Sequence, residues 1–177
     1  MKALREIALT LILALVIFVV MQATVQQFVV IGNSMLPSFQ NNERLLVNKA
    51  VYIFRQPQRG EVVVFRHSKE TDYIKRIIGL PGDTVEVKKN KVYVNGSALN
   101  EPYINNAPDY TFGPEKIPEG QYFVLGDNRD NSDDSHSGWV VPRDDIVGKA
   151  WILIWPPDNW GLVPSYPLAE QLVSAAL

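Results

Sequence analysis

The sequence predicts a mainly β protein, with an antiparallel β-sheet core and a small β insertion, preceded by one N-terminal transmembrane helix. Twelve prolines and eleven glycines lie mostly between short runs rich in valine and isoleucine, a composition typical of β-rich proteins. The run Ile7 to Met21 is almost wholly apolar, with only Thr10 interrupting it. After it, no long amphipathic helix is evident in the folded part of the chain.

The N-terminal apolar run has the length of a membrane anchor. Extended through Val25, it spans roughly 28 Å as a helix, close to the ~30 Å hydrocarbon core of a bilayer. A cleavable signal peptide is the alternative, but Met21-Gln22-Ala23 is a poor small-x-small cleavage site. Lys2 and Arg5 precede the run and predict that the N-terminus stays inside. The expected division is a cytoplasmic segment 1–6, an anchor 7–25 and an extracytoplasmic domain 26–177.

Short apolar runs bounded by turn residues predict the strands that follow the anchor. In chain order they are an extended segment Gln26–Ile31 and strands at Arg44–Tyr52, Gly60–Arg66, Asp72–Ile78, Thr84–Lys88, Lys91–Val94, Gln121–Leu125 and Lys149–Trp155. Lys89-Asn90 and Asn95-Gly96 have the residue types of tight turns.

The middle of this region is predicted to form a smaller inserted lobe at about residues 84–120. Within it, Asn100 to Gly120 is rich in Pro, Gly and Asn, which predicts a surface loop. Near the C-terminus, Trp151 is expected in the core, and Leu168 to Leu177 is long enough for a short terminal helix.

Composition excludes several kinds of chemistry. The formal net charge of −2 gives no indication of nucleic-acid binding. The absence of cysteine rules out disulfides, thiol catalysis and thiolate metal sites. Only two histidines, His67 and His136, are present, which argues against a Ser-His-Asp triad and against a metal site with several histidine ligands.

Ser34 lies in a constrained turn, after Gly32 and before Pro37. Such a turn can expose a hydroxyl together with the serine's own backbone N–H, which supplies a nucleophile and an oxyanion donor. An ordinary turn serine has the same local pattern, so this site alone does not establish catalysis.

Lys75 stands in an apolar strand, where alternation places it on one face with Tyr73 and Ile77. Desolvation disfavours an ammonium ion and lowers its pKa, and a neutral lysine can act as a general base. Lys49 and Lys149 also alternate with apolar residues, and most strand lysines extend to water. Lys75 is therefore one of three candidates on this reasoning.

A polar segment, Gly126 to His136, directly follows an apolar strand. One interpretation is a calcium loop, but carboxylates are missing at its middle positions and no helices flank it. A second is a solvated loop. A third is a hydrogen-bonded network in which Ser132 orients a neutral lysine and Asp134 fixes the loop.

Together these pieces resemble bacterial type I signal peptidases, also called leader peptidases, from the anchor to about Trp155. The resemblance is carried by four blocks in the family's order: Gly32-Asn33-Ser34-Met35-Leu36-Pro37, Arg59-Gly60-Glu61-Val62-Val63-Val64-Phe65, Tyr73-Ile74-Lys75-Arg76-Ile77-Ile78-Gly79-Leu80-Pro81-Gly82-Asp83 and Gly126-Asp127-Asn128-Arg129-Asp130-Asn131-Ser132-Asp133-Asp134-Ser135. Four such blocks behind an N-terminal anchor are highly specific.

The resemblance implies a Ser/Lys dyad, with Ser34 as acylating nucleophile and Lys75 as general base. It implies that Ser132 positions the lysine and that Asp134 supports the site. It also implies a mainly β catalytic domain that leans on the membrane and needs no metal or cofactor. The residues expected to line the substrate site are Val30, Gly32, Met35, Phe39, Tyr73 and Ile74.

The same resemblance implies the partners and the location. Family members cut secretory precursors after small side chains at the −1 and −3 positions. The expected partners are such precursors and the lipid bilayer, with no nucleic acid. The expected location is a cell membrane, or a thylakoid membrane where the cell has one, crossed once.

Three positions depart from the family's pattern. His136 stands where many relatives carry arginine, so an ion pair with Asp134 would depend on pH. Gly32 stands where some relatives have a hydroxyl residue that assists the oxyanion hole, which leaves more of that task to the Ser34 N–H. Ser38 replaces the commoner threonine.

Two other classes stay open from the sequence. One is a different Ser/Lys peptidase that processes a dedicated partner, as self-cleaving repressor-type or conjugation-type peptidases do. The other is a non-catalytic, membrane-anchored β domain that binds peptides.

Overall fold

A computed structural model of the chain describes residues 2–166 and Leu168. Its helices are α1 (Lys2–Thr24) and α2 (Val51–Phe54), with single 3₁₀ turns at Ser135–Ser137, Arg143–Asp145 and Pro157–Asn159. Its strands are β1 (Val25–Val29), β2 (Arg44–Asn48), β3 (Val62–Arg66), β4 (Asp72–Gly79), β5 (Thr84–Lys88), β6 (Lys91–Val94), β7 (Ser97–Ala98), β8 (Phe112–Lys116), β9 (Gln121–Leu125), β10 (Val141–Pro142), β11 (Ile146–Trp155) and β12 (Gly161–Leu162). The terminal helix predicted after Leu168 lies outside the described residues.

The strands form two antiparallel sheets. The larger has the order β1-β2-β11-β3-β4-β9-β10, with β12 beside β11. The smaller has the order β7-β6-β5-β8, and all its strands lie inside the 84–120 segment. Two-residue turns with positive φ connect its strands at Lys89-Asn90 and Asn95-Gly96. The predicted fold class, mainly β with an antiparallel core and one N-terminal apolar helix, is confirmed.

The bounds of β1, β3 and β4 differ from the predicted ones by one or two residues, and larger differences occur in three places. The strand from Arg44 ends at Asn48 rather than Tyr52, because the Asn48 side chain accepts the Val51 N–H and turns the chain out of the sheet before the short helix α2. The last long strand, β11, begins at Ile146 rather than Lys149. The loop predicted over Asn100–Gly120 contains β8, which is polar and mostly exposed and so lacks the apolar alternation of a strand.

Helix α1 has no buried side chain, and its apolar residues are exposed along its whole length. Its 23 residues span about 34 Å, enough to cross a bilayer. A helix that packs no face against the protein does not stabilise the soluble fold, so its apolar surface needs another environment.

Buried apolar residues form three clusters on the two sheets. The cluster between β1, β2 and β3 includes Met35 and Phe39, which attach the turn after β1 to the core. Trp151, predicted to be buried, is 40% exposed. The prediction was wrong because Ile146, Gly148 and Ala150 are the inward-facing positions of β11, so regular alternation turns Trp151 outward.

Candidate active site

Ser34, in the turn after β1, meets Lys75, in the middle of β4. The Lys75 Nζ lies 2.7 Å from the Ser34 Oγ, within hydrogen-bond distance. Lys75 is 4% exposed and lies opposite Val63 of β3 in the sheet. The two other candidate lysines are elsewhere, since Lys149 pairs with Glu61 at 2.9 Å and Lys49 follows β2.

Burial lowers the pKa of Lys75 below its ordinary value of 10.5. The carboxylates of Asp134, Asp133 and Asp127 act in the opposite direction, and burial outweighs them. The amine is therefore easier to deprotonate than that of a solvated lysine. A neutral amine 2.7 Å from a hydroxyl can accept the hydroxyl proton.

The turn that carries Ser34 is held from both sides. Gly32 has φ of +90°, a left-handed conformation that glycine adopts without strain, and its N–H donates to Asn41 Oδ1 at 2.9 Å. On the other side, Asn128 donates its backbone N–H to the Ser34 carbonyl at 3.0 Å and its side-chain amide to Asn33. Among residues 2–166, no backbone carbonyl accepts the Ser34 N–H, which leaves this donor available for a substrate oxyanion.

Asp134 is fully buried and joins two parts of its loop. One of its oxygens accepts the Gly126 N–H at 2.8 Å, and the other lies 2.7 Å from His136 Nδ1. A side chain on Gly126 would collide with the Ser34 carbonyl and with Ser132, so Asp134 holds the loop directly against the nucleophile's turn.

Ser132 lies beside Ser34, and the hydrogen bond to Lys75 that the resemblance implies is not present among the described residues. A Cβ built on Gly126 would be 2.2 Å from the Ser132 Oγ and 2.5 Å from the Ser34 carbonyl oxygen, which places all three together. The Ser132 Oγ is buried, and no hydrogen-bond partner for it is found in the described part of the chain. Ser132 therefore lies at the site, and its hydroxyl forms no hydrogen bond with Lys75 in this structure.

A buried ion pair behind the site was not predicted from the sequence. Arg76, the residue after Lys75, donates to both oxygens of Asp127 at 2.9 and 2.6 Å. Asp127 also accepts the Ser38 hydroxyl at 2.5 Å and so connects β4, the loop after β9 and the turn of Ser34. The Gly-Asp-Asn sequence directly after β9 was the available signal, because Asp and Asn after a buried strand commonly fix neighbouring loops.

A cleft of about 540 Å³ opens onto the Ser34 hydroxyl and the Lys75 amine. Four of the residues predicted to line it do so: Val30, Gly32, Tyr73 and Ile74. Met35 and Phe39 are not among the residues that line the cleft in this structure; they lie in the same core cluster as Val30 but do not reach the cleft surface. The turn after Ser34, closed by the Phe39 N–H on the Met35 carbonyl, directs both side chains into the protein.

The calcium interpretation of the 126–136 loop finds no support. Within the described residues, no three His, Cys, Asp or Glu side chains are grouped so that they could hold a metal ion. Asp127, Asp133 and Asp134 instead accept hydrogen bonds from protein donors.

A serine hydroxyl beside a desolvated lysine amine, in a cleft of an antiparallel β domain, is typical of the class of serine peptidases that use lysine where others use histidine. Comparison with known families agrees. The model of the family described as "Signal peptidase, peptidase S26" matches residues 4–155. The chain belongs to this family and is a serine endopeptidase.

Named relatives and a solved structure are similar to the chain. A probable signal peptidase I-2 of Synechocystis sp. is 48% identical over 75% of this chain and 64% of its own length. A signal peptidase I of Leptolyngbya laminosa is 40% identical over 94% of this chain and 86% of its own length. A crystal structure of a signal peptidase I from Enterococcus faecalis is 34% identical, covers 54% of this chain and 97% of its own, and superposes with a TM-score of 0.49. With α1, the family assignment describes a membrane-anchored peptidase.

Proposed function

We propose that this peptidase removes N-terminal signal peptides from secretory precursors, with Ser34 as the nucleophile and Lys75 as the general base. The observation that carries the assignment is the 2.7 Å distance between the Lys75 Nζ and the Ser34 Oγ, combined with the burial of the amine. Support for the substrate class comes from the relatives named signal peptidase I.

The chemistry follows from these two groups. Neutral Lys75 removes the proton of Ser34 as the hydroxyl oxygen attacks the carbonyl carbon of the scissile peptide bond. The Ser34 N–H stabilises the negative oxygen that forms. Lys75 then gives the proton to the leaving amine, which breaks the C–N bond and leaves an acyl-enzyme on Ser34. A water molecule deprotonated by Lys75 hydrolyses this ester and restores both groups.

The free edge of β4 is suited to hold the precursor in an extended conformation. Strand β9 pairs with β4 only from Arg76 onward, so Asp72 to Lys75 have a strand partner on one side alone. An added peptide strand at this edge obtains its register from backbone hydrogen bonds. Val30 and Ile74 then form shallow apolar walls beside Ser34, which accept small side chains at the −1 and −3 positions and exclude bulky ones by steric clash.

Ser132 and Asp134 support the dyad in this proposal. Asp134 fixes the loop through Gly126, and Ser132 supplies a hydroxyl beside the Ser34 carbonyl. The Ser132 hydroxyl is free to bond the lysine amine when the substrate displaces the hydrogen bond between Lys75 and Ser34.

We further propose the topology of residues 1–6 in the cytoplasm, 7–25 across the membrane and 26–177 as the extracytoplasmic catalytic domain. Because the natural sequence has no cysteine, single cysteines report the topology without background. Ser68→Cys, in an exposed loop, is expected to react with a membrane-impermeant maleimide in intact cells. Ala3→Cys is expected to react only after the membrane is disrupted. The reverse pattern would contradict this topology.

The cleavage assay uses full-length protein in detergent, a secretory precursor and N-terminal sequencing of the product. Ser34→Ala and Lys75→Ala are each expected to lower kcat/KM by at least about 10²–10⁴-fold. Lys49→Ala is the matched control, because it removes another lysine from the same sheet region and leaves the dyad intact. Retained cleavage by either dyad variant would overturn the assignment. Retained peptide binding by a wild-type protein that cleaves no precursor would favour the peptide-binding class instead.

A further inference from the structure

Asp133 lines the same cleft as Ser34 and Lys75, and two ring donors hold its carboxylate in place. The Tyr73 hydroxyl donates to Asp133 Oδ2 at 3.3 Å. The Trp139 indole Nε1–H donates to Asp133 Oδ1 at 3.3 Å. Both oxygens of an exposed loop aspartate therefore accept hydrogen bonds from ring side chains, Tyr73 of the cleft wall and Trp139 outside the cleft, although none of the preceding chemistry uses this residue.

The wall behind Asp133 is a packed group of rings. His67 stacks on Tyr73 with 4.1 Å between ring centroids and 5° between planes, and Trp139 lies 5.0 Å from His67. Phe65 supports Tyr73 from below at 6.2 Å. On the cleft side, the Lys75 amine lies 5.2 Å from the centroid of the Tyr73 ring. The Tyr73 side chain thus contacts the amine with its ring and the carboxylate with its hydroxyl.

Three carboxylates act electrostatically on Lys75, and all come from the loop after β9. Asp134 has His136 as its partner, at 2.7 Å, and Asp127 forms a buried ion pair with Arg76 at 2.6 Å. For Asp133, no cationic partner is found among the described residues, and its hydrogen-bond donors are neutral. From the other elements around Lys75, β3 contributes the apolar Val63 and the turn after β1 contributes the Ser34 hydroxyl. The connection from β3 to β4 contributes two further acidic residues to the cleft, Glu70 and Asp72.

We propose that Asp133 is a positioning residue that acts through Lys75. Its carboxylate, held by Tyr73 and Trp139, keeps a negative charge without a cationic partner in the cleft that contains the amine, and so sets the acid end of the pH range in which Lys75 works as a base. The proposal rests on the proposed function of Lys75. A negative charge favours the protonated amine, so Asp133 opposes the effect of burial. The balance between burial and the Asp133 charge determines how low the pH can be before Lys75 is protonated and no longer acts as a base.

Asp133→Asn tests the proposal because the amide oxygen still accepts hydrogen bonds while the charge is removed. On the acid limb of the pH profile, kcat/KM of the variant is expected to exceed that of the wild type by about two- to fivefold, the modest effect of an exposed charge. The excess is expected to vanish at about 1 M salt, where charges are screened beyond a few ångströms. Asp130→Asn is the matched control, since Asp130 is exposed in the same loop and accepts only the Asp109 N–H.

A second readout does not depend on catalysis. In the Ser34→Ala protein, the rate at which a small acetylating reagent modifies Lys75 is followed against pH by mass spectrometry. Adding Asp133→Asn is expected to raise this rate at acid pH, and adding Asp130→Asn to leave it unchanged. Identical pH profiles with and without the Asp133 charge, in both assays, would overturn this proposal. Cleavage retained by Lys75→Ala would instead overturn the proposed function itself.

Discussion

The Lys75 Nζ lies 2.7 Å from the Ser34 Oγ, although 41 residues separate the two positions in the chain. The turn after β1 carries the hydroxyl, and β4, which β11 and β3 separate from β2 in the sheet, carries the amine. The contact is supported on the far side by Asn128, whose backbone and side chain bond the carbonyls of Ser34 and Asn33. A base already in contact with its nucleophile in the resting protein needs little rearrangement before reaction.

The pH dependence of cleavage should follow the protonation of Lys75. Because burial lowers the pKa of Lys75, the neutral amine is populated at lower pH than for a lysine in water. Activity is expected to be lost as the pH falls through this lowered pKa, and the acid limb should lie below 10.5. Steady-state kcat/KM against pH checks this. An acid limb at the position of free lysine would contradict the role of burial.

Gly126→Ala should damage the site with little change to the rest of the fold. The added Cβ would lie 2.5 Å from the Ser34 carbonyl oxygen and 2.2 Å from the Ser132 Oγ, so the loop and the nucleophile's turn must separate. We expect a loss of about 10²-fold in kcat/KM, the effect of an ångström-scale displacement. Gly161→Ala is the control, since a Cβ there meets no atom within 4 Å. Equal activity of both variants would show that the close approach is unimportant.

Asp127→Asn should strongly destabilise the catalytic domain. It removes the negative partner of Arg76, which is 1% exposed, and leaves a buried cation without its counter-charge. A broken buried pair typically costs about 3–5 kcal/mol of unfolding free energy. Urea unfolding in detergent measures the change. The control is Glu86→Gln, which breaks the more exposed pair between Glu86 and Lys88 and should cost less than about 1 kcal/mol of unfolding free energy. A similar loss of stability in both variants would contradict the larger contribution of the buried pair.

Glu61 should make the stability of the domain depend on acid pH. Burial by itself would raise the pKa of Glu61. The hydrogen bonds that Glu61 accepts from Arg55, from Lys149 and from the Gln58 N–H outweigh burial and lower the pKa to about 2. An acid with a depressed pKa in the folded state stabilises the fold above its unfolded value of 4.5, and this contribution is lost as the pH falls towards 2. We expect a loss of about 3 kcal/mol at most between pH 5 and 2.

Urea unfolding at a series of pH values tests the role of Glu61. The Glu61→Gln protein should be less stable near pH 6 and should show a flatter dependence on pH below 5. Parallel curves for the two proteins would mean that another group controls the acid range. Tyr52 is left unchanged in this comparison, since its hydroxyl can still donate to the amide oxygen at position 61.

Much of this protein could be predicted from its sequence, because much of it depends on local pattern. The apolar run before Val25 predicts a spanning helix from length alone, and alternation locates β5, β6 and β9 to the residue. Ser34 and Lys75 were identified by the resemblance of the blocks around them, and each lies in a segment whose turn or strand character is visible locally. The predictions that failed concern Asn48, where a side-chain hydrogen bond to Val51 ends the strand early, and Trp151, which lies on the outward face of β11.

Only the tertiary structure decided which of these residues meet. Asn128 and Asn33 are 95 positions apart, and Asp127 and Ser38 are 89 apart, so no local pattern links them. Burial of Met35 and Phe39 depends on how the turn after β1 folds onto the core, and the placement of Asp133 against Tyr73 depends on the loop after β9. The sequence determined which groups are available for chemistry. Sheet packing between segments far apart in the chain sets the distance between the Lys75 amine and the Ser34 hydroxyl. The same packing buries that amine away from water.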